Sequence, residues 1–429
     1  MIATKAKLSI AAGVLVLTTT GAAPGPQTGQ SAAGDQPGFL KQYWQSPIPL
    51  QGKPPPTYSE LEASLDSASC GACHSAQFDD WRTSVHSKSV GPGLLGQTPG
   101  LLANDPDTPA MCYTCHAPLA EQQELYKAGR RFQKNRRFDA RLQRGGLTCA
   151  GCHVRNHRRF GPPRRDGSLE DVAPPEQLPH GGATRTAGFE RAEFCVGCHQ
   201  FEAGDKALNG KLLENTYSEW MNSPYGKQGV ACQQCHMPDR RHLWRGIHDA
   251  EMVRSGVQIE LSTNKARYEA GDQIEATLTL TNSGVGHYFP TYVTPRVVLR
   301  MELVDAGGRT IPGSAQEEYV GREVTLDLSR EVFDSRIPPS GEHRLHYTRT
   351  VDLKAQVLRA EVRVLPDEFY RRFYKAKLKG RLSAGERGLL SEALQEARRS
   401  AYTLFEKRVQ LSGEPSAQPR NRELTSRLE

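Results

Sequence analysis

The sequence predicts a multidomain protein: a mostly α-helical and irregular first half packed around bound groups, then an all-β immunoglobulin-like sandwich, then a helical segment. Three observations predict this. The 10 cysteines of the 429-residue chain all fall between residues 70 and 235, in pairs of one repeated form. From Val257 onward, apolar and polar residues alternate with the period of a strand. Beyond Pro366 the apolar spacing lengthens to that of a helix. The length itself suits two or three domains.

The N-terminus reads as an export signal over residues 1–23. Lys5 and Lys7 precede the short apolar run Leu8 to Leu17, and small residues follow at Gly21, Ala22 and Ala23. The run is short and Thr-rich at its end for a membrane span, so membrane association would need an uncleaved N-terminus. Residues 24–57 are rich in Gly, Pro, Gln and Ser and read as a disordered linker. Residues 58–254 then form the cysteine-bearing domain, 255–365 the β-sandwich, 366–411 the helical segment and 412–429 a disordered polar tail.

The cysteine pairs are Cys70/Cys73, Cys112/Cys115, Cys149/Cys152, Cys195/Cys198 and Cys232/Cys235, followed at once by His74, His116, His153, His199 and His236. A disulfide framework would not require a histidine after every second cysteine. Zinc sites built from Cys-x-x-Cys need an even number of pairs and leave the histidines unexplained. Cys-x-x-Cys-His is the attachment signature of c-type haem: the thiols form thioethers to the porphyrin, and the adjacent imidazole binds one axial face of the iron. The sequence therefore implies five covalent haems, closely spaced enough for the porphyrins themselves to form the domain's core.

The 13 histidines leave eight beyond these five. Between His74 and His86 the stretch "SAQFDDWRTSV" suits a helix, which would separate the two rings by about 18 Å. Axial ligands of one iron lie about 4 Å apart, so His86 should serve a different haem from His74. His157 follows His153 by one helical turn and should likewise reach a neighbouring haem. His180, His242 and His248 are further candidate second ligands, whereas His343 and His346 fall in an expected strand. The formal charge of +7 gives no case for nucleic-acid binding, since the haem propionates would bring the mature protein to about −5 with ferrous iron and about zero with ferric. Arg130, Arg131, Arg136, Arg137, Arg155, Arg158 and Arg159 form a local basic stretch, suited to neutralising propionates or to docking an acidic redox partner.

"CHSAQFDDWRTSVHS" resembles the first-haem segment of the multihaem cytochrome c superfamily, which includes the tetrahaem cytochrome of ammonia oxidisers, hydroxylamine oxidoreductase and pentahaem nitrite reductase. Trp81, Ser84 and His86 match its W-x-x-S-x-H element, whose histidine is commonly a distal ligand. "EFCVGCHQF", "TYSEWMNSPYGKQGVACQQCHMP" and "RGIHD", the last containing His248, resemble later segments, so the resemblance spans residues 43–365. Two departures stand out. Pentahaem nitrite reductases usually carry a lysine at one proximal position, and all five here are histidine. Hydroxylamine oxidoreductase carries eight haems, against five motifs in this chain.

In the β region, Val257, Ile259 and Leu261, then Ile274, Ala276, Leu278 and Leu280, then Leu299, Met301 and Leu303, and finally Leu358, Ala360, Val362 and Val364 mark strands separated by Gly and Pro turns. "NSGVGHYFPTY" resembles an element of β domains appended to exported multihaem cytochromes, and its glycines would let His287 approach a haem. After Pro366, a capping box at Ser383 and Glu386 precedes a stripe of Leu390, Leu394, Ala397, Ala401 and Leu404.

These readings favour an electron carrier, periplasmic or extracellular, with mostly bis-histidine haems. Its partners would be redox proteins: membrane quinol-linked or periplasmic cytochromes. A multihaem oxidoreductase with one open iron, acting on a small nitrogen or sulfur compound, is the alternative, and a sensing module the third.

Overall fold

The computed structural model describes residues 38–128 and 131–411. The expected export signal, the tail from residue 412 and Arg130 lie outside the described residues.

Short helices and loops make up the first half. Helices at Asp107–His116, Cys149–His153, Val196–His199 and Cys232–His236 each end on the histidine of a Cys-x-x-Cys-His unit. The i, i+3, i+4 spacing places both thiols and the imidazole along one side of such a turn. The first unit is split: helix Ser67–Gly71 carries Cys70, and His74 caps the next helix, Ser75–Trp81. Apolar side chains here gather in small clusters, such as Ile48, Leu119, Leu142, Ala150 and Val154, or Val90, Tyr113 and Ala117. Between the clusters runs a cavity of about 2760 Å³ lined by four of the five cysteine pairs. Pockets for one small ligand measure about 300–1,000 Å³, so this cavity suits several large groups.

The expected linker is ordered from Gly38 onward. Phe39–Tyr43 is helical, Tyr43 and Ile48 are buried, and Ile48 bridges to Leu119. The Tyr43 hydroxyl donates to the Cys152 carbonyl, and the Arg155 guanidinium lies 3.8 Å from the centre of its ring. Arg155 of the basic stretch is thus a packing residue. The Pro- and Gly-rich composition of residues 24–57 masks the apolar anchors Phe39, Tyr43, Trp44 and Ile48.

The β region holds two antiparallel sheets on one core. Strands β1 (Val257–Thr263), β2 (Gln273–Asn282) and β6 (Glu342–Thr350) form one sheet, in the order β6-β2-β1. Strands β3 (Arg296–Asp305), β4 (Gln316–Val324), β5 (Glu331–Asp334), β7 (Ala355–Leu365) and β8 (Tyr402–Gln410) form the other, in the order β5-β4-β3-β7-β8. The alternating residues Ile274, Leu278, Leu280, Leu299, Met301, Leu358 and Val362 are all buried in the shared core.

Helices α1 (Glu368–Lys377) and α2 (Ala384–Arg399) lie between β7 and β8, and α2 begins with the Ser383/Glu386 capping box. The apolar stripe outruns the helix, which stops at Arg399. Ala401 and Leu404 leave it, and Leu404 joins the sheet core from β8. Tyr402, Thr403, Phe405 and Val409 supply the aromatic and β-branched residues that favour a strand there. Helix α2 packs back on helix Pro92–Asn104. The approach is close enough that a Cβ on Gly96 would lie 2.9 Å from Leu390 Cγ.

A buried ionic band joins the halves. The guanidinium of Arg322 donates to the carbonyls of Leu208, Lys211 and Leu212 and pairs with Glu331 at 2.8 Å. Lys211 pairs with Glu331 and Asp334, and Arg336 bridges Asp334 to Glu219 at 2.8 Å each. Replacing Arg322 with Met removes a donor from three carbonyls and leaves the buried Glu331 carboxylate with Lys211 as its one cationic partner among the described residues. The expected loss is about 3–5 kcal/mol, read as a lowered midpoint in denaturant unfolding.

Candidate haem centre

Four of the five proximal imidazoles face a second one. Ring centres lie 6.5 Å apart for His74 and His180, 6.3 Å for His199 and His86, 6.2 Å for His153 and His242, and 6.4 Å for His236 and His287. Such a spacing is too wide for stacking in contact. An imidazole nitrogen binds a metal ion at about 2.0 Å, so two on opposite faces of an iron, with about 1.1 Å from nitrogen to ring centre, give centres about 6.3 Å apart. The gaps fit an iron and the ring that carries it.

Hydrogen bonding shows which nitrogen is free. Nδ1 of His116 donates to the Ser89 carbonyl, of His153 to Phe160, of His236 to Arg245, of His180 to Gly182, of His242 to Arg240 and of His287 to Tyr288, all at 2.7–3.0 Å. Nδ1 of His199 instead meets the Tyr292 hydroxyl at 2.5 Å. A proton held on Nδ1 leaves the Nε2 lone pair for a metal. Burial pushes His86 down to about 3, and His153, His199 and His287 down to about 4. These rings are therefore neutral at pH 7, as ligands must be.

His157 and His248 depart from this pattern. The helix ends at His153, and a hairpin follows in which Asn156 and His157 both have positive φ. That turn, the mirror-image type favoured between paired strands, replaces the helix on which the His157 expectation rested. His157 is buried, with Nε2 3.4 Å from the Gly52 carbonyl. His248 directs Nε2 to both carboxylate oxygens of Asp367, at 3.1 Å. Each commits to the protein the nitrogen that the other candidates leave free. Among the described residues, His116 faces no other imidazole at the spacing of the four pairs.

The surrounding chain explains the placement. Helix Ser75–Trp81 is shorter than the sequence suggests, and 3-10 residues begin at His86. The Trp81 indole donates to the Leu147 carbonyl, and Leu147 N–H donates to the carbonyl of His86. This ties the His86 loop to the strand of chain leading into Cys149. Buried Asp80 accepts from the Arg241 guanidinium at 2.6 and 2.7 Å and from His242 N–H at 3.0 Å. Asp80 is a positioning residue that sequence reasoning missed. Its signal was an acidic residue on the inner side of an otherwise plain helix.

The His287 loop is held by Glu219, which accepts from Tyr288 N–H at 3.2 Å while pairing with Arg336. Gly284 allows the loop to pass the preceding chain, since a Cβ there would lie 2.9 Å from the Ser255 carbonyl oxygen.

Thiols of different units lie side by side: Cys70 with Cys149, Cys115 with Cys198, and Cys195 with Cys232. Cys152 lies near both Cys195 and Cys198. The first unit thus adjoins the third, the third adjoins the fourth, and the fourth adjoins both the second and the fifth.

With this geometry in view, residues 69–140 match the family model described as cytochrome c554 and c-prime. A penta-heme cytochrome c552 from Thermochromatium tepidum superposes with TM-score 0.55 at 18% identity, covering 82% of this chain and 100% of that one. The two findings support a multihaem c-type cytochrome. An alkylpurine DNA glycosylase of Pseudomonas fluorescens, at TM-score 0.18 and 12% identity over 40% of this chain and 36% of its own, bears on neither fold nor function. No curated protein sequence matches the chain. Among the described residues, no helix is long and apolar enough to cross a membrane.

Asp80→Ala frees the His242 loop from its anchor. EPR of the ferric holoprotein is expected to lose one low-spin signal and gain one high-spin signal; an unchanged spectrum would contradict the anchoring role of Asp80.

Proposed function

We propose that the chain is an exported electron-transfer cytochrome carrying five c-type haems, four of them bis-histidine ligated. The observation that carries this reading is the set of four imidazole pairs at 6.2–6.5 Å. Proximal His74, His153, His199 and His236 would be matched by His180, His242, His86 and His287, and thioethers would form at all ten cysteines. Haem iron supplies one-electron chemistry, and bis-histidine ligation lowers its potential relative to histidine–methionine ligation. The protein's own part is to hold each Nε2 in place, keep the rings neutral and pack neighbouring units side by side. The fourth unit, which adjoins three others, is the junction through which electrons pass.

Arg131, Arg136, Arg137 and Lys134 are exposed and make no ion pair among the described residues. They support docking of an acidic redox protein, such as a quinol-linked or periplasmic cytochrome. The strand orders β6-β2-β1 and β5-β4-β3-β7-β8 support an immunoglobulin-like sandwich.

His116 carries a second reading, a multihaem oxidoreductase whose second haem is open on one side. Glu214 and Tyr370 lie beside that unit, near Cys115 and Cys112 respectively, and both line the cavity. Burial pushes the Glu214 carboxyl up to about 8, so it holds a proton at neutral pH. A proton donor beside an open iron suits reduction of a small nitrogen or sulfur compound.

Intact-mass measurement is expected to show five haem additions, and ferric EPR four low-spin centres. Carbon monoxide binding after reduction reports the fifth: one equivalent bound per protein favours the oxidoreductase, and none leaves a pure carrier. Fewer than four low-spin centres in a fully loaded protein would sink the ligand assignment. His287→Ala is expected to add one carbon monoxide equivalent to the wild-type number.

A further inference from the structure

Among the proximal histidines whose Nδ1 has a partner, His199 alone meets a side chain. His116, His153 and His236 donate to backbone carbonyls of Ser89, Phe160 and Arg245, whereas His199 shares a hydrogen bond with the Tyr292 hydroxyl, which accepts when Nε2 is the metal-binding nitrogen. The arrangement is built. Tyr292 has φ 64, a left-handed conformation that a bulky residue rarely adopts. Its ring lies beside that of His199, with centres 6.2 Å apart and planes inclined by 27°. Thr216 sits against the phenol and bonds Thr291 at 2.6 Å, tying the loop to helix Thr216–Met221. The same loop carries His287 to the fifth unit. One turn of the β region therefore reaches the iron sites of two adjoining units, from the proximal side of one and the distal side of the other.

The identity of the acceptor matters to the metal. The more strongly Nδ1–H is drawn towards its acceptor, the more electron-rich the ring becomes and the more it favours ferric iron. A short bond to a hydroxyl that is itself held by Thr216 gives His199 a setting unlike that of the other proximal histidines. We infer that Tyr292 is a positioning residue that sets the reduction potential of the haem ligated by His199, separately from the other four. The inference rests on the haem reading above. It assigns to the β region an electronic role at the junction of the cluster, besides that of supplying a ligand.

The test is a spectroelectrochemical titration of the intact holoprotein and its Tyr292→Phe variant. Haem count and low-spin EPR of the wild type check the haem reading on their own. In the variant, the hydrogen bond is lost while the ring is kept. One of the five reduction steps is expected to move to higher potential, with the other four unmoved and five haems still bound. At a fixed applied potential, the ferric-to-ferrous ratio of that haem should fall about 2- to 10-fold, the range set by one hydrogen bond. Should Tyr292→Phe fail to load five haems, Thr216→Val keeps the phenol and removes its neighbour, and must shift that step alone. Five unmoved steps, or a common shift of all five, would overturn the inference, since a role confined to loop packing predicts one or the other.

Discussion

The hydrogen bond from a histidine Nδ1 to a nearby oxygen is the interaction on which the rest of this structure depends. It sets the tautomer, fixes the ring plane and leaves Nε2 bare. In His116, His153 and His236 the acceptor is a backbone carbonyl close in sequence or on an adjacent loop. The loops around these rings have few buried apolar contacts of their own, so their shape is dictated by where such carbonyls must stand. Left-handed residues such as His180 and Trp244 follow from the same demand. His157 and His248 are the informative contrast, with Nε2 turned to the Gly52 carbonyl or the Asp367 carboxylate.

The pairs also determine how the two halves of the molecule meet. Three second imidazoles come from the first half, and the fourth, His287, comes from the loop after β2. A ring carried from one half to meet a ring of the other needs the contact between the halves to be rigid. The ionic band of Glu219, Arg336, Asp334, Lys211, Glu331 and Arg322 meets this need, with nearly every charged group matched by its opposite and by hydrogen bonds. Buried pairs of this kind add little net stability, but breaking one is costly. They fix the register of one half on the other.

Much of the plan was legible in the residues. The cysteine units and the strand alternation from Val257 could be read because each is a local pattern with a fixed period. Pairing of His86 with a unit other than its own followed from the length of one helix. What stayed hidden depends on distance in the chain. The different settings of His242 and His248 could not be read, because the carboxylates they meet, Asp80 and Asp367, lie far away in sequence. The His157 expectation rested on a helix that a two-residue turn replaces. Tyr43 and Ile48 were concealed by their Pro- and Gly-rich neighbours, and β8 by an apolar stripe that continues past the end of its helix.

The position of β8 bears on how the molecule is assembled. It is the last described strand, yet it forms an edge of the five-stranded sheet, pairing with β7 after the excursion through α1 and α2. A chain that emerges from its N-terminus exposes all five cysteine units before this closing strand exists. Completion of the cysteine units and closure of the sheet are thereby separated in time. The first half has only small apolar clusters of its own, while the five-stranded sheet stays open at this edge until β8 pairs with β7.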